Sequence, residues 1–288
     1  KEIGGYFELE DLAGKEYYPG LYKVNLGRTA LLWLLESRRY SKIYLPMFLC
    51  ESVVEACEQH GIQIERYRMD AELNILLSQN KMKEKECLYL VNYYGQLTDE
   101  RILQYKEKYG NIIVDHTHAF FQKPLKGIDT LYSCRKFWGV SDGAYLATDA
   151  VLSMDKPLDR SNKRMEHILG RYEENAGAYY QEMLQNAASY DGMEIRRMSR
   201  LTENLLGAID YEAGKHRREE NYSILSEELP SESVFVRVTP EGPFVYPYHH
   251  KDGLNLRRRL AEHRIFVPTY WKNILEECDK NSLEYKWA

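Results

Sequence analysis

Three short apolar runs of this chain end on residues able to do chemistry. Asn92 stands in Val91-Asn92-Tyr93-Tyr94-Gly95, Asp115 in Val114-Asp115-His116-Thr117-His118, and Lys136 in Ser133-Cys134-Arg135-Lys136. A lysine amine can condense with an aldehyde to form a Schiff base. A carboxylate shut away from water stays ionised only beside a cation, so Asp115 suits a protonated ring nitrogen. Asn92 or His118 offers a donor toward a ring hydroxyl. Gly27-Arg28-Thr29 opens a helical stretch and offers backbone N–H groups to a phosphate, with Ser133 adding a hydroxyl. An aldehyde, a pyridine nitrogen, a ring hydroxyl and a phosphate together describe pyridoxal 5'-phosphate, whose protonated ring accepts the electrons of a substrate carbanion. Singly, each residue has a plainer reading. A lysine after a strand is ordinarily a solvated loop residue, an Asp closing a strand caps a turn, Asn92 forms a turn, and Gly-Arg-Thr starts any helix. Their order along the chain favours the site.

The elements that must position these residues alternate between strand and helix. Residues 28–39, 51–60 and 99–109 read as helices, the last two stopped by Gly61 and Gly110. Strands are expected over 42–46, 62–68, 87–93, 111–115, 129–133 and 143–148. Strands separated by such helices imply a mainly parallel sheet covered on both faces, with ligands beyond the carboxyl ends of the strands. Residues 158–229 read as largely helical. A strand over 233–238, a helix over 253–263 and a strand over 264–267 follow. The expected organisation is a large α/β domain over residues 1–200 and a small α+β C-terminal lobe over 201–288.

With 288 residues and 44% hydrophobic content, the chain can bury a core of that size. A net charge of −5 argues against nucleic acid as the main partner. The five cysteines are odd in number and widely spaced and include no C-x-x-C pair, which argues against a disulfide framework, a zinc site or another metal and fits a reducing cytoplasm. No apolar run approaches the roughly 18–20 residues of a membrane span, and no signal-peptide pattern opens the sequence.

The chain resembles the fold type I pyridoxal-phosphate enzymes (the aspartate-aminotransferase fold), and most closely the DegT-like sugar aminotransferases, over roughly residues 4–271. Asn25-Leu26-Gly27-Arg28-Thr29-Ala30-Leu31 is similar to the family's phosphate turn, with Arg28 in place of a small hydroxyl residue. Leu45-Pro46-Met47-Phe48-Leu49-Cys50 resembles the segment that supplies a ring-stacking side chain, a role falling on Cys50 or its neighbour Phe48. Tyr93-Tyr94-Gly95-Gln96 resembles an aromatic-Gly-Gln turn. Asp115-x-x-His118-Ala119 resembles the element whose Asp pairs with the pyridine nitrogen and whose fourth residue approaches the ring hydroxyl. Tyr132-Ser133-x-x-Lys136, followed by Asp142-Gly143, resembles the Schiff-base lysine and its glycine turn. Many members carry a serine five residues before the lysine. Here that residue is Leu131, and Ser133 has the spacing of aspartate-type aminotransferases. Members often continue through a further strand and helix, so the resemblance implies a C-terminal lobe cut short in this sequence.

The resemblance implies a pyridoxal-phosphate-dependent aminotransferase working as a cytoplasmic homodimer. Its substrates would be an amine donor such as glutamate and a keto sugar, typically nucleotide-linked. The aromatic stretches Tyr93-Tyr94, Phe120-Phe121 and Phe137-Trp138 suit either a dimer contact or a core. Dehydration, decarboxylation or condensation on the same cofactor, and a non-catalytic binding role, are the alternatives. Isolated DegT-like dehydratases carry His where this chain has Lys136, which argues against that variant. Amino-acid aminotransferases grip a carboxylate with a fixed arginine. Arg257, Arg258 and Arg259 lie consecutively on an expected helix, about 100° apart, and read as a solvated face; Arg264 is the alternative clamp.

Overall fold

The structure, a computed structural model, describes residues 3, 5–229 and 233–288. Gly4, where the resemblance begins, lies outside the described residues, as do Lys1 and Glu2 at the start of the expected large domain. Eight strands form one sheet: β1 Tyr22–Val24, β2 Lys42–Pro46, β3 Gln63–Met69, β4 Ile75–Leu76, β5 Glu86–Val91, β6 Ile112–Asp115, β7 Asp129–Ser133 and β8 Ala144–Ala147, in the order β1-β8-β7-β6-β5-β2-β3-β4. From β3 through β7 the neighbours run parallel, while β8 is antiparallel to both β7 and β1.

The strands are apolar on both faces because both are covered. Ile43, Cys87, Tyr89 and Ile113 face one cluster with Leu31, Trp33 and Leu35 of helix α1, Gly27–Arg38. The alternate residues Tyr44, Leu88, Leu90, Ile112 and Val114 face a second, which includes Ile102 of α3, Asp99–Tyr109. Between them in sequence lies α2, Glu51–Gln59, which stops before Gly61 at φ 67°. Thr98 caps α3 by accepting from the Arg101 amide, with acids in the first turn and lysines in the last, as the helix dipole favours. Register pairs Val91 with Asp115 and Asp115 with Leu131, so the carboxyl ends of β5, β6 and β7 lie side by side.

The remaining helices are α4 Glu166–Glu173, α5 Tyr180–Ala188, α6 Arg200–Gly207, α7 Tyr211–Glu228, α8 Gly253–Glu262, α9 Ile274–Glu277 and α10 Leu283–Trp287. Two expected strands do not form. Over 233–238 the chain turns, because the Arg237 and Val238 amides donate to Gln96 Oε1 and Phe235 packs on Phe48. After α8, Arg264 adopts φ 61° and the Ile265 amide returns to the Leu260 carbonyl, so the start of the expected 264–267 strand is used to cap the helix. β5 also ends two residues before the expected limit, because Asn92 Oδ1 accepts from the Leu97 amide and closes a turn with Tyr94 at φ 52°. No helix among the described residues is long and apolar enough to cross a membrane.

Candidate active site

Asp115 ends β6 almost fully buried. Its Oδ2 accepts from the Tyr89 phenol at 2.7 Å and its Oδ1 from the Thr117 amide at 2.8 Å. Burial nonetheless raises its pKa from the ordinary value, against those hydrogen bonds and the charge of Lys136. No cation contacts it directly among the described residues, so the carboxylate is oriented but not neutralised.

Lys136 closes the turn Cys134–Lys136 that follows β7. Its side chain reaches solvent and has no hydrogen-bond acceptor among the described residues. Surrounding protein displaces enough water to lower its pKa; Arg135 adds to the effect, while Cys50 and Asp115 oppose it. Lys136, Asp115 and Cys50 thus share one electrostatic neighbourhood at the strand ends. The turn is held from behind by Asp142, which is buried and accepts from the Ser199 amide and hydroxyl at 2.8 Å each and from the Thr202 hydroxyl. Gly143 follows at φ 116°, where a Cβ would stand 3.0 Å from Thr202 and 3.2 Å from Cys134, so the Asp-Gly pair is a packing requirement of the turn.

The start of α1 lies beside the end of β6: a Cβ on Gly27 would come 4.0 Å from Thr117 Oγ1. Leu26 occupies the N-cap with no side-chain acceptor, and the Gly27, Arg28 and Thr29 amides find no acceptor among the described residues. These amides are open to an anion. The Thr29 hydroxyl is not, since it donates to Asn25 Oδ1 at 2.5 Å and receives the Leu26 amide at 3.2 Å. The half-buried Ser133 hydroxyl is unpartnered among the described residues, and Arg28 makes only a 3.5 Å contact with the exposed Asp191.

Two expected residues, Asn92 and Phe48, have other surroundings. Asn92 is buried, with its amide nitrogen 2.7 Å from Gln122 Oε1 and 3.1 Å from His116 Nδ1, so its hydrogen bonds lock a turn. Phe48 lies in an aromatic cluster with Tyr93, Phe235, Trp271 and Trp287 and has no free face. Cys50, half-exposed at the start of α2 and within electrostatic reach of Lys136, occupies the more open position of the two. His118 stacks on Phe244 at 4.6 Å and on Tyr94 at 5.2 Å, and its Nδ1 is buried without a partner. Burial, aided by the Lys136 charge, holds its pKa down to about 3, so the ring is neutral. Phe120, Phe121 and Phe137 pack inside this chain, so they offer no dimer contact, and Arg257 and Arg258 bond to Val267 and Asn255 of their own segment.

The sequence reading missed Tyr89, Thr117 and the aromatic cover of His118. Tyr89 reads as one more apolar residue of a buried strand, and Phe244 and Trp271 lie more than a hundred residues away from His118 in sequence, with no pattern to link them. The residues present fit pyridoxal phosphate. The buried carboxylate lacks a cation, His118 Nδ1 lacks a partner, Lys136 is free, and the α1 amides are open.

No family model and no curated protein matches the chain. Solved structures do. A sugar aminotransferase from Micromonospora echinospora is 15% identical with a TM-score of 0.52, over 85% of this chain and 72% of that one. NtdA from Bacillus subtilis, with bound cofactor PMP, is 12% identical with a TM-score of 0.58, over 87% of this chain and 60% of that one. The E. coli GDP-4-keto-6-deoxy-D-mannose-3-dehydratase with hydrated PLP is 13% identical with a TM-score of 0.52, over 92% and 80%. The chain has the α/β fold of these fold type I enzymes, as its sequence led us to expect.

Proposed function

We propose that the protein is a pyridoxal 5'-phosphate-dependent aminotransferase that passes an amino group from a donor such as glutamate to a keto sugar carried on a nucleotide. The carrying observation is the pairing of Asp115, a buried carboxylate with no cation in contact, with Lys136, an amine free of partners, across the ends of neighbouring strands.

In this reading Lys136 is the amine that would hold the cofactor through its aldehyde, and Asp115 would lie against the pyridine nitrogen and keep it protonated. The open amides of α1 and the Ser133 hydroxyl receive the phosphate. The cofactor, when bound, supplies an electron sink for the pair left as the substrate C–H bond breaks. Tyr89 and Thr117 fix the orientation of the Asp115 carboxylate, which would face the ring nitrogen of the bound cofactor. His118 is neutral, and its unpartnered Nδ1 is the group that would meet the ring hydroxyl. The lowered pKa of Lys136 raises its unprotonated fraction near neutrality, as the nucleophile and later proton carrier must be.

The keto-sugar substrate is supported by neighbours that include a sugar aminotransferase and a keto-sugar dehydratase. Dehydration is the second reading, disfavoured by Lys136 at the position where the resembling dehydratases carry His. A role in sugar or polysaccharide biosynthesis, a cytoplasmic location and a homodimer follow from the same reading. A paired half-reaction assay tests it. The pyridoxamine form should be reoxidised readily by a nucleotide-linked keto sugar and only slowly by simple keto acids other than the product of its donor. Fast turnover with a broad set of keto acids and none with keto sugars would reject it.

A further inference from the structure

Arg135, between Ser133 and Lys136, has no role in the reading above. Its guanidinium stacks on the Tyr190 ring, 4.3 Å from the centroid, and meets no carboxylate or carbonyl acceptor among the described residues. Arg164 lies over the same ring at 5.1 Å, but its charge is taken by Asp159 at 2.7 Å. Arg28 reaches the same stretch from the start of α1, through its 3.5 Å contact with Asp191, the residue after Tyr190. Arg28, Tyr190 and Asp191 also line one shallow cleft that continues between α1 and α2.

A guanidinium partly withdrawn from water without an anion costs free energy, and a second positive charge beside it adds repulsion. Burial lowers the Arg135 pKa and Arg28 and Arg164 push it the same way, while Tyr190 and Asp142 oppose them in part. None of the three nearby acids contacts the Arg135 guanidinium: Asp142 accepts from Ser199 and Thr202, Asp159 pairs with Arg164, and Asp191 is exposed on the Arg28 side. Arg28 belongs to the same start of α1 as the open amides, and Ser133, whose hydroxyl is unpartnered among the described residues, stands two residues before Arg135. A phosphate dianion matches two guanidinium groups in charge and in hydrogen-bonding geometry.

We propose that Arg135, together with Arg28, binds the phosphate of the cofactor, with Tyr190 as the platform that holds the Arg135 guanidinium flat. This chain would then grip the phosphate mainly by charge, in place of the hydroxyl of Thr29, which is committed to Asn25. The proposal rests on the pyridoxal-phosphate reading.

The test is binding, without turnover. Dissociation constants of pyridoxal 5'-phosphate and of pyridoxal, which lacks the phosphate, are measured by fluorescence for the wild type, Arg135→Gln and Arg135→Lys. Arg135→Gln should weaken pyridoxal 5'-phosphate by roughly ten- to a hundredfold, the loss of a charge-assisted contact, and leave pyridoxal unchanged. Arg135→Lys should recover part of the loss. Equal weakening of both ligands would make Arg135 structural and overturn the proposal, as would unchanged affinity. A wild type that binds neither ligand would instead overturn the cofactor reading itself. Should the glutamine variant fail to fold, arginine-selective modification of the wild type with phenylglyoxal, mapped by mass spectrometry, decides the matter. Pyridoxal 5'-phosphate should shield Arg135 and pyridoxal should not; equal labelling under both counts against the proposal.

Discussion

Tyr89 donates its phenol to Asp115 Oδ2 at 2.7 Å, from one strand to the next. Burial pushes the tyrosine pKa far upward, so the phenol keeps its proton and remains a fixed donor. With the Thr117 amide on the other oxygen, the carboxylate cannot rotate, and the lone pairs not used by the protein stay aimed one way. Asp115→Asn should therefore leave pyridoxal phosphate bound while cutting transamination by orders of magnitude, because the ring loses the charge that makes it an electron sink. Tyr89→Phe should act in the same direction but less, about tenfold, the scale of one hydrogen bond to a charged group. Steady-state rates with the best donor separate the two. Wild-type turnover in Asp115→Asn would remove Asp115 from the mechanism.

Lys136 is the lysine expected to carry the cofactor. Borohydride reduction of the loaded protein followed by peptide mapping should place the label there, since its amine has no acceptor to hold it and a lowered proton affinity. A label on Lys23 or Lys215, both tied to glutamates, would contradict the geometry of the site.

Ser133 and Thr29 both carry hydroxyls near the proposed phosphate position, and the structure gives them opposite behaviour. Ser133→Ala should weaken pyridoxal phosphate by about 1–2 kcal/mol with little change in stability, because nothing in the protein uses that hydroxyl. Thr29→Ala should lower stability by about 1 kcal/mol, by removing the bonds to Asn25 and Leu26, and barely change affinity. Equilibrium dialysis and denaturant titration read the two quantities independently, and the reverse pattern would exchange the roles.

Much of the scaffold is legible from residue order alone. Lys42–Pro46, Asp99–Tyr109 and Asp129–Ser133 form as their patterns require, because each is bounded by a local signal: a run of buried residues, a Thr cap with a Gly stop, an Asp-to-Ser apolar stretch. The strand over 264–267 was not legible as a helix cap, since a β-branched run after a helix reads as a strand and only the φ of Arg264 reveals the turn. The site divides in the same way. Asp115 and Lys136 are marked by strand ends, which sequence periodicity locates. The commitment of Asn92 to Gln122 and the cover of Phe244 over His118 depend on contacts between distant segments, which no local pattern encodes.

His116 and His118 are both buried, and burial holds each near a pKa of about 3. In the unfolded chain each titrates near 6.5. Their folded values are depressed, so between about pH 6.5 and 3 the unfolded state binds more protons than the folded one. The stability they contribute is complete above about pH 6.5 and falls as the pH drops, by about 1.4 kcal/mol per unit for each histidine well inside that window. Asp115, with its raised pKa, works in the opposite sense, favouring the fold as it takes up its proton, and so opposes part of the histidine loss in protein without cofactor. Urea titrations of cofactor-free protein from pH 7.5 to 5 should show a falling unfolding free energy. In His118→Asn, which cannot take up the proton, the overall stability will be lower because the stack on Phe244 changes. The informative quantity is the slope: it should be shallower than the wild type by about one proton's worth. A slope that does not change on this substitution would mean that His118 takes up its proton in the folded state, and that its Nδ1 has a partner the cofactor would have to displace.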